Sequence, residues 1–334
     1  MADALATMTP EQLSMIPAGT PPPGVIPNFI DPPTSAPVLI AVGTVLMAIM
    51  LLFAGIRFYV KVIIRRKVTP DDWTTLAAVI GTCWYYGICI HAVTRAKFGT
   101  HMWDISVAHT LSDDFLIASF FTNWPSGLVR AFAKSSFLLM YLQLFSPWAW
   151  LRRSAFVGMF LNWGFYTSVI IASIYYQAPN PGQTWQEGFT NERYNKSFYM
   201  TLPIASGSLI LNTYIFVLPL IAVWNLRLSP RKKIGVMAVF ATGLIACVAS
   251  SLSIYIKHKL NSHLDDYTYW VYIVLLMALV EMCNKSGGFG NWGVSALSSL
   301  RSLLRHGKSS NASRDFETSW KSSRSNAMAK NALR

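Results

Sequence analysis

Seven hydrophobic stretches, each about long enough to cross a bilayer, alternate with loops whose basic residues are shared unevenly between the two sides. A helix needs roughly 20 mostly apolar residues to span a hydrocarbon core of ~30 Å. Spans are predicted over 37–57, 73–93, 115–145, 155–176, 198–223, 234–256 and 267–283. Loops one, three and five carry eleven Lys and Arg residues: Arg57, Lys61, Arg65, Arg66, Lys67, Arg152, Arg153, Arg227, Arg231, Lys232 and Lys233. The even loops carry six: Arg95, Lys97, Arg193, Lys196, Lys257 and Lys259. Residues 1–36 hold none, whereas the segment after span seven holds nine. Short basic loops stay in the cytosol, so the pattern predicts a seven-helix, all-α membrane bundle with the N-terminus outside and the C-terminus in the cytosol.

Composition agrees. The chain is 53% apolar and 13% charged, too greasy for an ordinary soluble domain. Its net charge of +13 is spread over short cytosolic loops and a tail. Topology and anionic lipid account for it better than nucleic acid. The four cysteines, Cys83, Cys89, Cys247 and Cys283, fall within or at the end of spans, without the paired spacing of a zinc site. They read as small apolar packing residues.

Residues 1–36 show no signal-peptide pattern. Eight prolines before Ser35 predict an extended or disordered outer arm. Residues 284–334 read as a Ser- and basic-rich cytosolic tail. Within it, Leu297, Leu300, Leu303 and Leu304 share a face beside Arg301 and Arg305, which predicts an amphipathic helix over 292–305 on the inner leaflet.

Charge inside a membrane is expensive and marks a partner or a function. Arg130 and Lys134 in span three are four residues apart and share a face; Glu281 lies in span seven. Lys134 and Glu281 both fall in inner halves, and the expectation is that they pair. Such a pair either holds the bundle together or serves as a switch or substrate contact. Trp124-Pro125, Pro203 and Pro219 lie in or near spans and mark kinks. Asn162, Ser168, Asn212 and Thr213 read as interhelical glue. The outer loop with His101, Trp103, Asp104, His109, Asp113 and Asp114 lacks the spacing of a metal motif, so no metal site is expected. Asn195-Lys196-Ser197 is a glycosylation sequon on the outer side.

Several short motifs occur in a fixed order: Arg57-Phe58-Tyr59, Arg65-Arg66, Asp71-Asp72-Trp73, Gly99-Thr100-His101-Met102-Trp103-Asp104, and Lys134-Ser135-Ser136 followed by Tyr141. Leu218-Pro219, Arg231-Lys232-Lys233-Ile234-Gly235, Phe240-Ala241-Thr242-Gly243 and Glu281 complete the series. The set resembles the fungal rhodopsin-domain family over roughly 36–283. That resemblance implies a seven-span, receptor-like membrane protein, mostly of unassigned ligand. The chain departs from the pattern at Gln177-Ala178-Pro179, where a cysteine is usual, and the corresponding disulfide is not expected. Asn212 stands for an acidic residue and Gln143 for an arginine, an arginine is missing near Leu252, and Asn284-Lys285-Ser286-Gly287-Gly288 ends span seven early.

No retinal or other cofactor is expected. A Schiff base needs a mid-membrane lysine in the last helix, and 267–283 contain none, with Lys285 at the cytosolic end. The leading reading is a receptor-like role in the plasma membrane or another secretory-pathway membrane. A small-molecule ligand would bind between outer helix halves and a signalling partner would meet the basic inner loops. No acidic-arginine-aromatic triplet follows span three, which argues against a heterotrimeric G protein. The alternatives are a membrane cyclase-type enzyme and a small-solute transporter linked to secondary metabolism.

Overall fold

The structure, a computed structural model, describes residues 8–64, 66, 68–144, 148–224 and 230–286. The amphipathic helix expected over 292–305 lies outside them, as does most of the tail. Among the described residues there are no strands, only two isolated bridges, and seven helices run to 20 residues or more. They are α1 (Ala36–Tyr59), α2 (Pro70–Thr94), α3 (Trp124–Leu144), α4 (Ala149–Gln177), α5 (Glu192–Trp224), α6 (Pro230–Ser262) and α7 (Tyr267–Ser286). Consecutive helices pack side by side, α7 returns against α1, and α3 touches α5 and α7 across the middle.

Six of the seven expected spans fall on one of these helices each, and the third is divided. Five of them are long and apolar enough to cross a membrane: α1 with its π-helical extension to Ile64, α2, α4, α5 over Glu192–Ile221, and α7. In α3 the charges of Arg130 and Lys134 dilute the apolar run. The span expected over 115–145 is broken into a short helix, Asp113–Phe121, and α3. Pro125 has no N–H to offer the preceding turn, so it sits in the first turn of a new helix instead of the middle of an old one. Pro203 and Pro219, by contrast, are carried within α5.

Apolar residues fill the clusters between helices and also cover the outside. Val38, Val45, Leu52, Phe160, Ile171 and Val248 are exposed on the perimeter, while Thr82, Asn162, Ser208, Asn212 and Ser250 are buried. An apolar perimeter suits lipid, and the interior polar groups must then find partners in neighbouring helices. The four cysteines are free thiols.

The sequence predicts an extended or disordered Pro-rich arm. From residue 8 the arm lies over the loop that follows α2. Ala18 and Gly19 donate backbone N–H groups to Ile105 and Met102 at 2.8 and 3.1 Å, and Ser35 donates to Gly99 at 2.9 Å. A proline-rich strand has free backbone groups, and the loop after α2 presents complementary ones. Gly99 makes this close approach feasible: its φ is +98°, and a Cβ there would lie 3.3 Å from the Ala36 nitrogen.

Candidate functional site

Two buried polar clusters and one cavity occupy the interior. The inner cluster forms where α1 ends and α2 begins. Thr69 precedes Pro70, and its N–H donates to the Asp72 carboxylate at 2.9 Å, which fixes the first turn of α2. That turn points Asp71 and Asp72 inward, each only 2% exposed. Arg57 reaches Asp71 at 2.7 Å and Asp72 at 3.2 Å, and Lys61 reaches them at 2.8 and 2.6 Å. Two cations face two carboxylates, so the group is electrically balanced. Gln143 of α3 donates to Asp71 at 2.7 Å, tying three helices together. The neighbouring motif residue Trp73 is exposed and belongs to the perimeter.

The central cluster is not balanced. Glu281 of α7 is bonded by Lys285, one turn on, at 2.9 Å, and by Asn212 of α5 at 3.0 Å. The Arg130 guanidinium lies 3.6 Å from its other oxygen. Lys134 does not pair directly with Glu281, contrary to expectation. Its ammonium donates to the Tyr166 hydroxyl at 2.6 Å and to the Ser208 carbonyl and hydroxyl at 3.1 and 3.0 Å; Ser208 in turn donates to Glu281 at 3.5 Å. The helix rotation that turns Arg130 to Glu281 carries Lys134 toward α4 and α5. Asn212 also donates to Ser250 of α6 at 2.5 Å and accepts from Lys285.

Two buried lysines depart from the sequence reading. Lys285 is expected at the inner end of span seven and lies in the last described turn of α7, but it is buried there, 6% exposed. Lys257 was assigned to an outer loop, yet α6 continues to Ser262 and Lys257 is 8% exposed. The Glu281–Lys285 spacing of four residues was the available signal. Two of the departures from the expected pattern, Gln143 and Asn212, fall inside the clusters, where each offers an amide at a position the resemblance would give a charge.

The outer motif builds a cap. His101 bonds Asp266 at 2.8 Å and is stacked between Trp103 and Tyr269, with centroids at 4.2 and 4.1 Å. Asp104 accepts the Asn28 N–H of the arm at 2.9 Å. His109 is half-buried; burial, reinforced by Lys97, lowers its pKa below the ordinary imidazole value. Among the described residues no three His, Cys, Asp or Glu converge as metal ligands would. Asn195 is exposed on the first turns of α5, not in a loop.

Beneath the cap lies a cavity of about 90 Å³, with walls from α2 to α7. Arg130 and Lys257 line it together with Tyr85, Phe198, Tyr267 and Leu275. A wider recess of about 310 Å³, lined by Phe115, Phe189 and Tyr194, adjoins it and shares Phe198 and Tyr267.

A family model for the fungal rhodopsin domain matches residues 56–286, which takes in both clusters and most of the cavity. The chain belongs to the fungal rhodopsin domain family. Among curated proteins, the chain is 24% identical over 255 residues to "Fugralins biosynthesis cluster protein 2" of Gibberella zeae, covering 75% of this chain and 62% of that protein. It is 26% identical over 158 residues to a "SAT4 family membrane protein" of Emericella nidulans, covering 45% of this chain and 39% of that one. The chain thus spans less than two thirds of either relative. No solved structure matches. As a fungal rhodopsin domain protein it is an integral membrane protein, with several helices suited to a multi-pass arrangement.

Proposed function

We propose that this fungal rhodopsin domain protein crosses the membrane seven times, with its N-terminus outside, and works as a receptor-like sensor of a small molecule. The observation that carries the reading is the cavity beneath the outer cap. Its walls come from six helices, so an occupant touches α3, α5, α6 and α7 at once. Binding that differs between two packings of those helices shifts the equilibrium between them. The central cluster sits below the cavity and bonds the same helices to one another, and α3 continues to Gln143 at the inner cluster. A change in helix packing at the cavity is therefore mechanically continuous with the inner end, where a cytosolic partner would read it. Exposed Asn195 is placed to carry a glycan on the outer side.

The second reading, a transporter or cyclase-type membrane enzyme of secondary metabolism, is favoured by one relative's name, which places that protein in a biosynthesis cluster. Against an acid-initiated cyclase stands the state of Glu281. The carboxylate is held by Lys285 and Arg130 and is not a free proton donor. A deletion strain separates the readings. A sensor leaves the metabolite profile intact and abolishes a transcriptional response to an added compound, restored by the wild-type gene. Accumulation of a precursor or retained product, with every such response intact, would overturn the sensor reading.

A further inference from the structure

The central cluster and the cavity above it hold four cations, Arg130, Lys134, Lys257 and Lys285, and one carboxylate, Glu281. Glu281 is already engaged by Lys285 and Arg130. Lys134 is satisfied by neutral oxygens on Tyr166 and Ser208. Lys257 is different: it is 8% exposed, and among the described residues it has neither an ion partner nor a hydrogen bond. The Arg130 Nε–H makes no hydrogen bond and faces Glu281 at 3.6 Å, beyond hydrogen-bonding reach. Both residues line the cavity, which no carboxylate lines; Glu281 lies on a smaller pocket of about 10 Å³ that both cations also border. Charge withdrawn from water is costly, and with the one carboxylate already bonded by Lys285 the two cations bordering the cavity leave it short of negative charge.

We infer that the cavity is a binding site for a small organic anion, a monocarboxylate with an aromatic or aliphatic body, held by Arg130 and Lys257. The inference rests on the outer-half pocket of the sensor reading and adds the chemistry of the ligand. Depth fits. Arg130 lies six residues into α3 from Trp124 and Lys257 five residues before the end of α6, so both sit ~8–9 Å below the outer helix ends. Size fits as well. A cavity of about 90 Å³ has room for roughly six to nine water-sized groups, more than a halide needs. The walls distinguish an organic from an inorganic anion. Phe198, Tyr267, Val271 and Leu275 present apolar surface to whatever lies above the two cations, while Asn123 and Ser126 give neutral polar contact. The guanidinium offers a carboxylate a planar donor pair that a point charge lacks.

The test uses the full chain in phosphatidylcholine nanodiscs, with benzoate as probe, benzamide as its uncharged isostere and chloride as the inorganic arm. Benzoate should raise the melting temperature by a few degrees at saturation, and benzamide and chloride should not. Lys257→Gln should weaken benzoate binding at least about tenfold. It should also raise the melting temperature of the empty protein, since it removes an unpaired charge; a merely structural lysine would lower it. Leu275→Phe fills the void without touching charge and should abolish binding in folded protein. Equal protection by benzamide, protection by chloride alone, or unchanged benzoate affinity in either variant overturns the proposal. A missing transcriptional response in cells, with benzoate binding intact, would sink the sensor reading and leave the anion site standing.

Discussion

Glu281 is the sole carboxylate in a cluster of cations, and this asymmetry sets what mutations there should do. Removing Glu281 leaves Lys285 and Arg130 unpaired beside Lys134 and Lys257, whereas removing Lys285 still leaves Glu281 with Arg130 and Asn212. Glu281→Gln should therefore cost about 3–5 kcal/mol, the range for breaking a buried pair, and Lys285→Met distinctly less. The double variant should recover much of the Glu281→Gln loss. A double-mutant cycle on the melting temperature of nanodisc-embedded protein measures the coupling. Combining Glu281→Gln with Lys134→Met should give nearly additive losses, because Ser208 stands between those groups. Coupling of Glu281 to Lys134 as strong as to Lys285 would contradict the observed geometry. Sequence alone identified Arg130, Lys134 and Glu281 as the expensive residues, because charge within an apolar run is visible in one dimension. It did not identify their pairing, since partner choice depends on helix rotation. Lys257 and Lys285 were missed for a simpler reason: a helix that outlasts its apolar run looks, in sequence, like a helix that has ended.

At the scale of elements, the outer cap joins the arm, the loop after α2 and the start of α7. His109 lies in that loop. Burial and the nearby Lys97 disfavour the imidazolium, while Asp114 and backbone carbonyls favour it, and the net effect is a lowered pKa. The folded state then binds fewer protons than the unfolded chain just below the ordinary histidine pKa of ~6.5. By linkage, stability rises with pH through that window and is lost as pH falls below it. Protection factors across 96–112, corrected for the intrinsic slowing of amide exchange toward acid, should fall between pH 7 and pH 5, and His109→Asn should flatten that dependence. Protection that rises on acidification would reverse the sign and exclude His109 as its source. The cap also shows where sequence reading stopped short. The Gly99–Asp104 motif was visible, as were the prolines, but nothing in a proline-rich string states which backbone groups it will meet. The docking of Ala18, Gly19 and Asn28 on Ile105, Met102 and Asp104 is a three-dimensional complementarity. Pro125 was visible as a kink and became a break, because Thr122 and Asn123 form a turn ahead of it.

For the whole molecule, the proposed orientation rests on the charge count, and the buried ion pairs change that count without reversing it. Arg57 and Lys61 are buried ion partners of Asp71 and Asp72, so they are not free to anchor a loop in the cytosol. Lys257 is interior to α6 and leaves the opposite tally. Eleven inner residues become nine, and six outer ones become five, so the bias persists when only residues outside the buried clusters are counted. The hydrogen bonds from the arm to the loop after α2 add an independent constraint: the arm must share a side with the loop it touches. A reporter fused after Arg334 should be cytosolic, and one inserted at Gly182, in the turn between α4 and α5, should be outside. Gly182 is a suitable point, since its φ is +87° and no neighbouring atom lies near a would-be Cβ. Cancelling the nine-to-five bias, by Arg152→Glu and Arg153→Glu with Lys substitutions at Asn180 and Gln183, should yield mixed orientation, while conservative Arg→Lys exchanges at 152 and 153 should change nothing. Both reporters on one side in the wild-type chain would mean that one of the three helices between them does not cross, α6 first, since among the described residues it is the one of the three outside the apolar five, and the seven-span bundle would have to be redrawn around a re-entrant or surface-lying element.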